Sequence, residues 1–372
     1  MRSYVGTVLA TLVTITADTP SSTNRRQSSI VNPQSSLSAM VAPVRSVGLP
    51  GRNRQSSIIN LQSSLPRLNR QSSIVNLQFL PGQRALLDAH NAYPEHGRFA
   101  DRIDVALATG LPVAIEQDLA WCTSASGELA PLVSHESTCV GGEPTLETYF
   151  FERVRPIVEA ALAKGPSADW PLVTLNLDFK TNEPAHHAAV WALLGTYQRW
   201  LTTAPKVPNA AAVAPLQVGP LLVLTGSSDV QQQTFHDAVP VGDRLRMFGA
   251  IVGIAAPLSD PSALPRATPA TNYRRWWNHP WRVVEVEGQR TAGDWTAADA
   301  ARLGAIVTDA HLHGLWIRFY TLNGLAGEHE GWTASYNFGG LASAQVRWRA
   351  AIDARVDFIA TDQYAEFARA RH

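Results

Sequence analysis

His90 and Asn91 close one apolar run, ALLDAHN, and Glu116 and Asp118 sit two residues apart at the end of the next, PVAIEQDLAW. His135 follows in the loop beyond, and Asn176, Asp178 and Lys180 alternate through a third run, LVTLNLDFKT. Histidine titrates near neutral pH, so a pair of them can take a proton from one oxygen and give one to another. Carboxylates are hard oxygen donors, and Glu116, Asp118 and Asp178 form a set suited to Mg²⁺ or Ca²⁺. A lysine beside them can hold phosphate oxygens and offset the charge that develops there. These residue types together are what metal-assisted cleavage of a phosphodiester needs. His90 and His135 are the expected acid/base pair, with the metal on Glu116, Asp118 and Asp178.

Strands must deliver these groups. Residues two apart on a strand share a face, so Glu116 and Asp118 point one way while Ile115, Gln117 and Leu119 point the other. Asn176, Asp178 and Lys180 likewise oppose Leu175, Leu177 and Phe179. A polar row on the inner face of a buried strand is unfavourable unless it is paired or metal-bound. From about Ala85 the chain alternates strand and helix patterns. Helical runs include RFADRIDVALATG, TLETYFFERVRPIVEAALAKG (capped by Thr145, stopped by Gly165), EPAHHAAVWALLGTYQRWLTTA, a short one near Gln231, Thr296 to His313, and Ala342 to Arg355. PLLVLTG, RLRMFGAIVG, WRVVEVE, LWIRFYTLN and VDFIATDQ complete eight strands. Eight β/α units over residues 85–372 predict an α/β fold, a TIM (β/α)₈ barrel, with active groups at the carboxyl ends of its strands. The alternative is an open doubly wound sheet, but no glycine-rich phosphate fingerprint follows the first strand.

The 372-residue chain is 45% hydrophobic, enough for a sizeable core, and its formal net charge is zero. That zero is unevenly divided. Residues 1–84 hold nine Arg, no Lys and one acid, Asp18, leaving 22 basic and 30 acidic residues in the rest. An acidic body argues against nucleic acid as a partner. Residues 1–20 read as a secretory signal, with Arg2, an apolar stretch from Tyr4 to Ile15, and Ala17. Residues 21–84 carry copies of NRQSSIVN and NRQSSIIN rich in Ser, Gln, Asn and Arg, which predicts a disordered segment. The expected location is secreted or periplasmic. Translated repetitive DNA upstream of the true start would give the same near-identical copies, and the location would then be cytoplasmic. Cys122 and Cys139 flank the loop with His135, either as a disulfide or as free thiols.

The order His-Asn, Glu-x-Asp, a GELAPLVSHE hairpin and Asp-x-Lys resembles the phosphatidylinositol phospholipase C-like phosphodiesterase superfamily. That superfamily includes glycerophosphodiester phosphodiesterases and sphingomyelinase D-type phospholipases. RFYTLN followed by VDFIATDQ is similar to the last two strands of glycerophosphodiesterases. The resemblance spans roughly Leu86 to Tyr364, specific in the first three strands and loose between Pro205 and Gly293. It implies a TIM barrel, a divalent metal on Glu116, Asp118 and Asp178, His90 and His135 in catalysis, and Lys180 on the phosphate. Glycerophosphodiesterases usually read His-Arg-Gly where this chain has His90-Asn91-Ala92, so a phosphate-gripping Arg is missing. Asn91 is closer to the sphingomyelinase D and yeast mitochondrial-inheritance-like branches, where His-x-x-Asn or His-Asn-Asp-Tyr occurs, and Tyr93 fits the second pattern. The Cys122–Cys139 span resembles the bridged catalytic loop of the sphingomyelinase D branch at a different spacing.

Other residues weigh less. His186 and His187 are adjacent on a helix and cannot both face one ligand, so a solvated face is expected. His311 and His313 stand at a helix end and read as structural. Tyr273, Trp276, Trp277 and Trp281, and likewise Trp332 and Tyr336, could line a lipid or sugar pocket. Asn91, Lys180 and Trp332 are the expected substrate contacts. The expected substrate is a small-molecule or lipid phosphodiester, with a peripheral membrane contact and no protein partner. Two rivals remain: a catalytically silent barrel that binds a phosphorylated ligand or lipid, and a glycosidase using two carboxylates. No G-x-S-x-G motif supports serine hydrolysis.

Overall fold

The computed structural model describes residues 79–95, 98–256, 260, 262–288, 293–325 and 337–371. The expectations for residues 1–78, Trp332 and Tyr336 lie outside them. Eleven strands and seven α-helices follow in order among these residues: β1 (Leu86–Ala89), α1 (Arg102–Ala108), β2 (Val113–Thr123), β3 (Leu129–Val133), α2 (Glu152–Lys164), β4 (Val173–Phe179), α3 (Pro184–Thr196), β5 (Ala204–Pro205), β6 (Leu221–Thr225), α4 (Asp229–Gln232), β7 (Arg244–Leu245), β8 (Phe248–Ala250), β9 (Arg274–Pro280), α5 (Ala297–Leu312), β10 (Trp316–Tyr320), α6 (Leu341–Asp353), β11 (Phe358–Thr361) and α7 (Tyr364–Ala370).

Parallel pairing runs β1-β2-β4-β6-β8-β9-β10-β11, and β11 pairs back onto β1, so eight strands close a TIM barrel. β3 adds an antiparallel hairpin to the long β2, and β5 and β7 form a separate two-stranded ribbon. Where the chain changes direction, local chemistry supports it. Thr296 caps α5 with a reciprocal capping box to Asp299, and Pro184 opens α3.

The barrel bore is layered by strand alternation. Its lower part is apolar: Leu86, Ala114, Leu222, Leu224, Phe248, Trp276, Trp316 and Phe358 cluster with Phe79, which closes the bottom. Trp316 Nε1 donates to the Phe79 carbonyl at 3.1 Å. Two residues further along their strands come Asp88, Glu116, Asn278 and Arg318, joined by Asn176 of β4, which follows the buried Thr174. The outward residues Ile115, Leu119, Leu175, Leu177 and Phe179 join the larger core beneath the helices.

Three expectations from the sequence are corrected. WRVVEVE is not strand six: Trp281–Val283 is a 3₁₀ turn, and the sixth barrel strand is β9, RRWWNHP, just before it. Trp276 and Trp277 are buried on opposite faces of β9, so no polar alternation marks it. RLRMFGAIVG divides into β7 in the ribbon and β8 in the barrel. The short β8 fits close against its neighbour, since a Cβ at Gly249 would come within 2.4 Å of the Tyr273 ring. His186 and His187 are fully buried rather than solvated, because the start of α3 is covered from both sides. His186 stacks on Trp121 at 5.6 Å, and His187 lies between Phe179 (5.2 Å) and Phe235 (5.4 Å).

Candidate active site at the barrel mouth

Asn91 turns the chain out of β1 with φ of +55°, a left-handed conformation that Asn tolerates better than most residues. The turn aims the Asn91 N–H at Glu116 Oε2 (3.2 Å), and Tyr93 donates its hydroxyl to Asn91 Oδ1 at 2.5 Å. His90 is fixed by the opposite end of the barrel sequence. Its Nδ1 lies 2.9 Å from Asp362 Oδ1, just past β11. Nδ1 donates to this carboxylate when it carries the proton, and Asn91 Nδ2 also lies 2.8 Å from it; Nε2 turns toward the cavity, 3.5 Å from Glu116 Oε2. Asp362 is itself held: it accepts from Asn91 Nδ2 at 2.9 Å and from the Asn323 side chain. Burial alone would lower the His90 pKa, but Glu116 and Asp362 outweigh it and the net shift is upward.

The carboxylates are tied to protein cations. Arg318 from β10 bridges Asp88 and Glu116, reaching the latter at 3.2 Å, and donates to Asn278 Oδ1 at 3.2 Å. Burial would raise the Glu116 pKa, yet Arg318, His90 and the Asn91 N–H hold it at about 2. Lys180 Nζ lies between Asp118 Oδ2 (2.9 Å) and Asp178 Oδ2 (2.7 Å). Asp118 is pushed well above the usual carboxylate range by burial and by Glu116, against the pull of Lys180.

His135 belongs to the β2–β3 side of the mouth. Cys122 and Cys139 are joined in a disulfide, with Cα atoms 6.0 Å apart, which ties down the loop carrying it. Ser134 N donates to the Asp118 carbonyl at 3.0 Å, and the His135 ring stacks near Tyr93 at 6.0 Å. Its imidazole is half exposed.

His90, Asn91, Glu116, Asp118, His135, Asp178 and Lys180 all line one cavity of about 390 Å³. Asn176, Asn278, Arg318, Tyr320 and Trp276 complete its floor. Tyr273, Trp277 and Trp281 do not line it; they are buried in the core. His311 is structural, paired with Asp357 at 3.0 Å below the barrel.

As donors, the carboxylates fit a hard cation: Asp118 Oδ1 is buried without a hydrogen-bond partner, and every candidate ligand is an oxygen. Their spacing is that of carboxylates held by Lys180 and Arg318. Among the described residues, no three His, Cys, Asp or Glu side chains are gathered closely enough to hold an ion.

Asp88, Arg318 and Asp362 are the residues that sequence reasoning missed. A lone Arg in the apolar run LWIRFYTLN and an acid at the end of VDFIATDQ were the available signals, because isolated charges in buried strands need partners.

No known family profile matches this chain, and no curated protein matches its sequence. Among solved structures, a glycerophosphoryl diester phosphodiesterase from Parabacteroides distasonis is similar, at 12% identity and a TM-score of 0.36. The match covers 77% of this chain and 84% of that one. The barrel assignment rests on the strand register itself.

Proposed function

We propose that the protein is a phosphodiesterase that cleaves a glycerophosphodiester or a phospholipid headgroup by histidine acid/base catalysis. The observation that carries this reading is His90: a part-buried imidazole backed by Asp362, with Nε2 turned into a cavity that also holds His135 and Lys180. His90 Nε2 takes the proton of the attacking hydroxyl, from water or from the substrate itself, as the new P–O bond forms. The positive charge it gains faces Glu116 and Asp362. His135, at the solvent side, gives a proton to the departing alkoxide as the old P–O bond breaks. Attack by water yields a phosphomonoester, and attack by an internal hydroxyl yields a cyclic phosphate. Lys180 and Asn91 contact the phosphate oxygens.

Binding a divalent metal, Mg²⁺ or Ca²⁺, on Glu116, Asp118 and Asp178 would require these side chains to draw together, with Lys180 giving up Asp118 and Asp178. When bound, the metal supplies Lewis-acid polarisation of the phosphate. The disulfide fits an oxidising compartment, hence a secreted or periplasmic protein. Among the described residues no helix is long and apolar enough to cross a membrane, and contact with a lipid substrate would be peripheral.

The test is hydrolysis of bis-p-nitrophenyl phosphate with Mg²⁺ or Ca²⁺ supplied. EDTA should abolish turnover, and restored metal should return it. Turnover that survives chelation removes the metal from this reading. The second reading, a catalytically silent barrel that binds a phosphorylated ligand or lipid, is favoured by one observation, the span of Lys180 across Asp118 and Asp178. Binding without turnover in the same assay would select it.

A further inference from the structure

A second cavity, about 640 Å³, lies outside the barrel wall between α3 and residues 234–246, and shares no lining residue with the candidate active site. Arg244, Arg246, Asp243, Trp191, Gln198 and Pro240 are among the residues that line it. Arg246 lies over the Trp191 ring, its guanidinium carbon 4.6 Å from the centroid. Its Nε donates to Gln198 Oε1 at 2.8 Å and its Nη1 to the Trp191 carbonyl at 3.2 Å. Gly195 leaves room for it: a Cβ there would stand 3.3 Å from Arg246 Nη1. The fork is thus held in place by packing and by neutral acceptors.

Among the described residues, neither Arg246 nor Arg244 has a carboxylate in ion-pair contact. Arg244 donates instead to Thr203 and Gln217. Burial lowers the Arg246 pKa, and Asp243 only partly offsets this. Partly buried guanidinium groups usually meet a carboxylate or phosphate, whose paired oxygens match the fork. Here the partly buried Arg246, joined by the exposed Arg244, lines a cavity that contains one carboxylate, Asp243.

We propose that this cavity is a binding site for a small free oxyanion of the phosphate type, gripped by Arg246 and Arg244 and opposed by Asp243. The volume is in the range of small-ligand sites, and the site is independent of the reaction at the barrel mouth.

Calorimetric titration of inorganic phosphate into the full chain tests this. Arg246→Met should weaken one binding event by about tenfold or more, as loss of a charge-assisted fork does. Asp243→Asn should tighten the same event, because it removes the opposing charge. Neither change should alter kcat/KM for bis-p-nitrophenyl phosphate, which separates this site from the candidate active site even if phosphate also binds there. Should Arg246→Met fail to fold, Asp243→Asn decides alone. Phosphate binding that is unchanged in both variants, or in Asp243→Asn alone, overturns the proposal.

Discussion

The lower and upper halves of the barrel bore come from the same strands and obey the same alternation, yet their contents are opposite. Leu86, Ala114, Trp316 and Phe358 fill the lower half with hydrocarbon. Two residues onward, Asp88, Glu116, Arg318 and Ala360 occupy the corresponding positions, and two further on come His90, Asp118, Tyr320 and Asp362. The lower half stabilises the fold by burying apolar surface. The upper half opposes it, because buried charges stay favourable only while each has its partner. Charge has therefore been placed where one protein cation answers two carboxylates: Arg318 for Asp88 and Glu116, Lys180 for Asp118 and Asp178. On the proposed reading, the upper half is the one held for chemistry.

Changes in the two halves should separate activity from stability. The largest effect should come from the upper half. His90→Ala and His135→Ala should each reduce kcat by roughly 10²–10⁴, the usual worth of a positioned acid or base, with melting temperatures near that of the parent. Unchanged rates would reassign the acid/base pair. In the lower half, Trp316→Ala should destabilise the fold by about 3–5 kcal/mol in chemical denaturation, while kcat per folded molecule stays the same. A loss of kcat without loss of stability would erase the distinction between the halves.

A smaller effect should appear outside the bore, at α3. Burial lowers the His186 pKa from 6.5 to about 4, and His187 shifts the same way. The folded state therefore binds these protons less readily than the unfolded chain. Their contribution to stability is complete above pH 6.5 and is lost as pH falls toward 4. Melting temperature should drop across that window, and His186→Gln should flatten the drop. A melting temperature that holds steady between pH 6.5 and 4 would contradict the burial of both rings.

The same contrast explains what could be read in the sequence. Asn176 and Asp178 stand out because they alternate with apolar residues that face the helices, and Glu116 and Asp118 because they share a face between Ile115 and Leu119. The barrel followed from the same periodicity. The sixth strand did not, because Trp276 and Trp277 are buried on both faces and leave no alternation. Arg318 and Asp362 were missed because each is a single charge whose partner lies far away in sequence: Asp88 is 230 residues from Arg318, and His90 is 272 from Asp362. Only barrel closure, β11 onto β1, brings the latter pair together. His186 and His187 looked solvated because helical spacing says which residues share a face but not how many faces are covered.

Phosphorus NMR of the products from glycerophosphocholine, incubated with the protein and Mg²⁺ or Ca²⁺, decides whether the barrel mouth cleaves a phosphodiester. A phosphomonoester or cyclic phosphate signal should grow with the parent protein and be lost with His90→Ala. An unchanged phosphodiester resonance across glycerophosphodiester and phospholipid substrates, with the protein folded and metal present, would contradict the proposed cleavage.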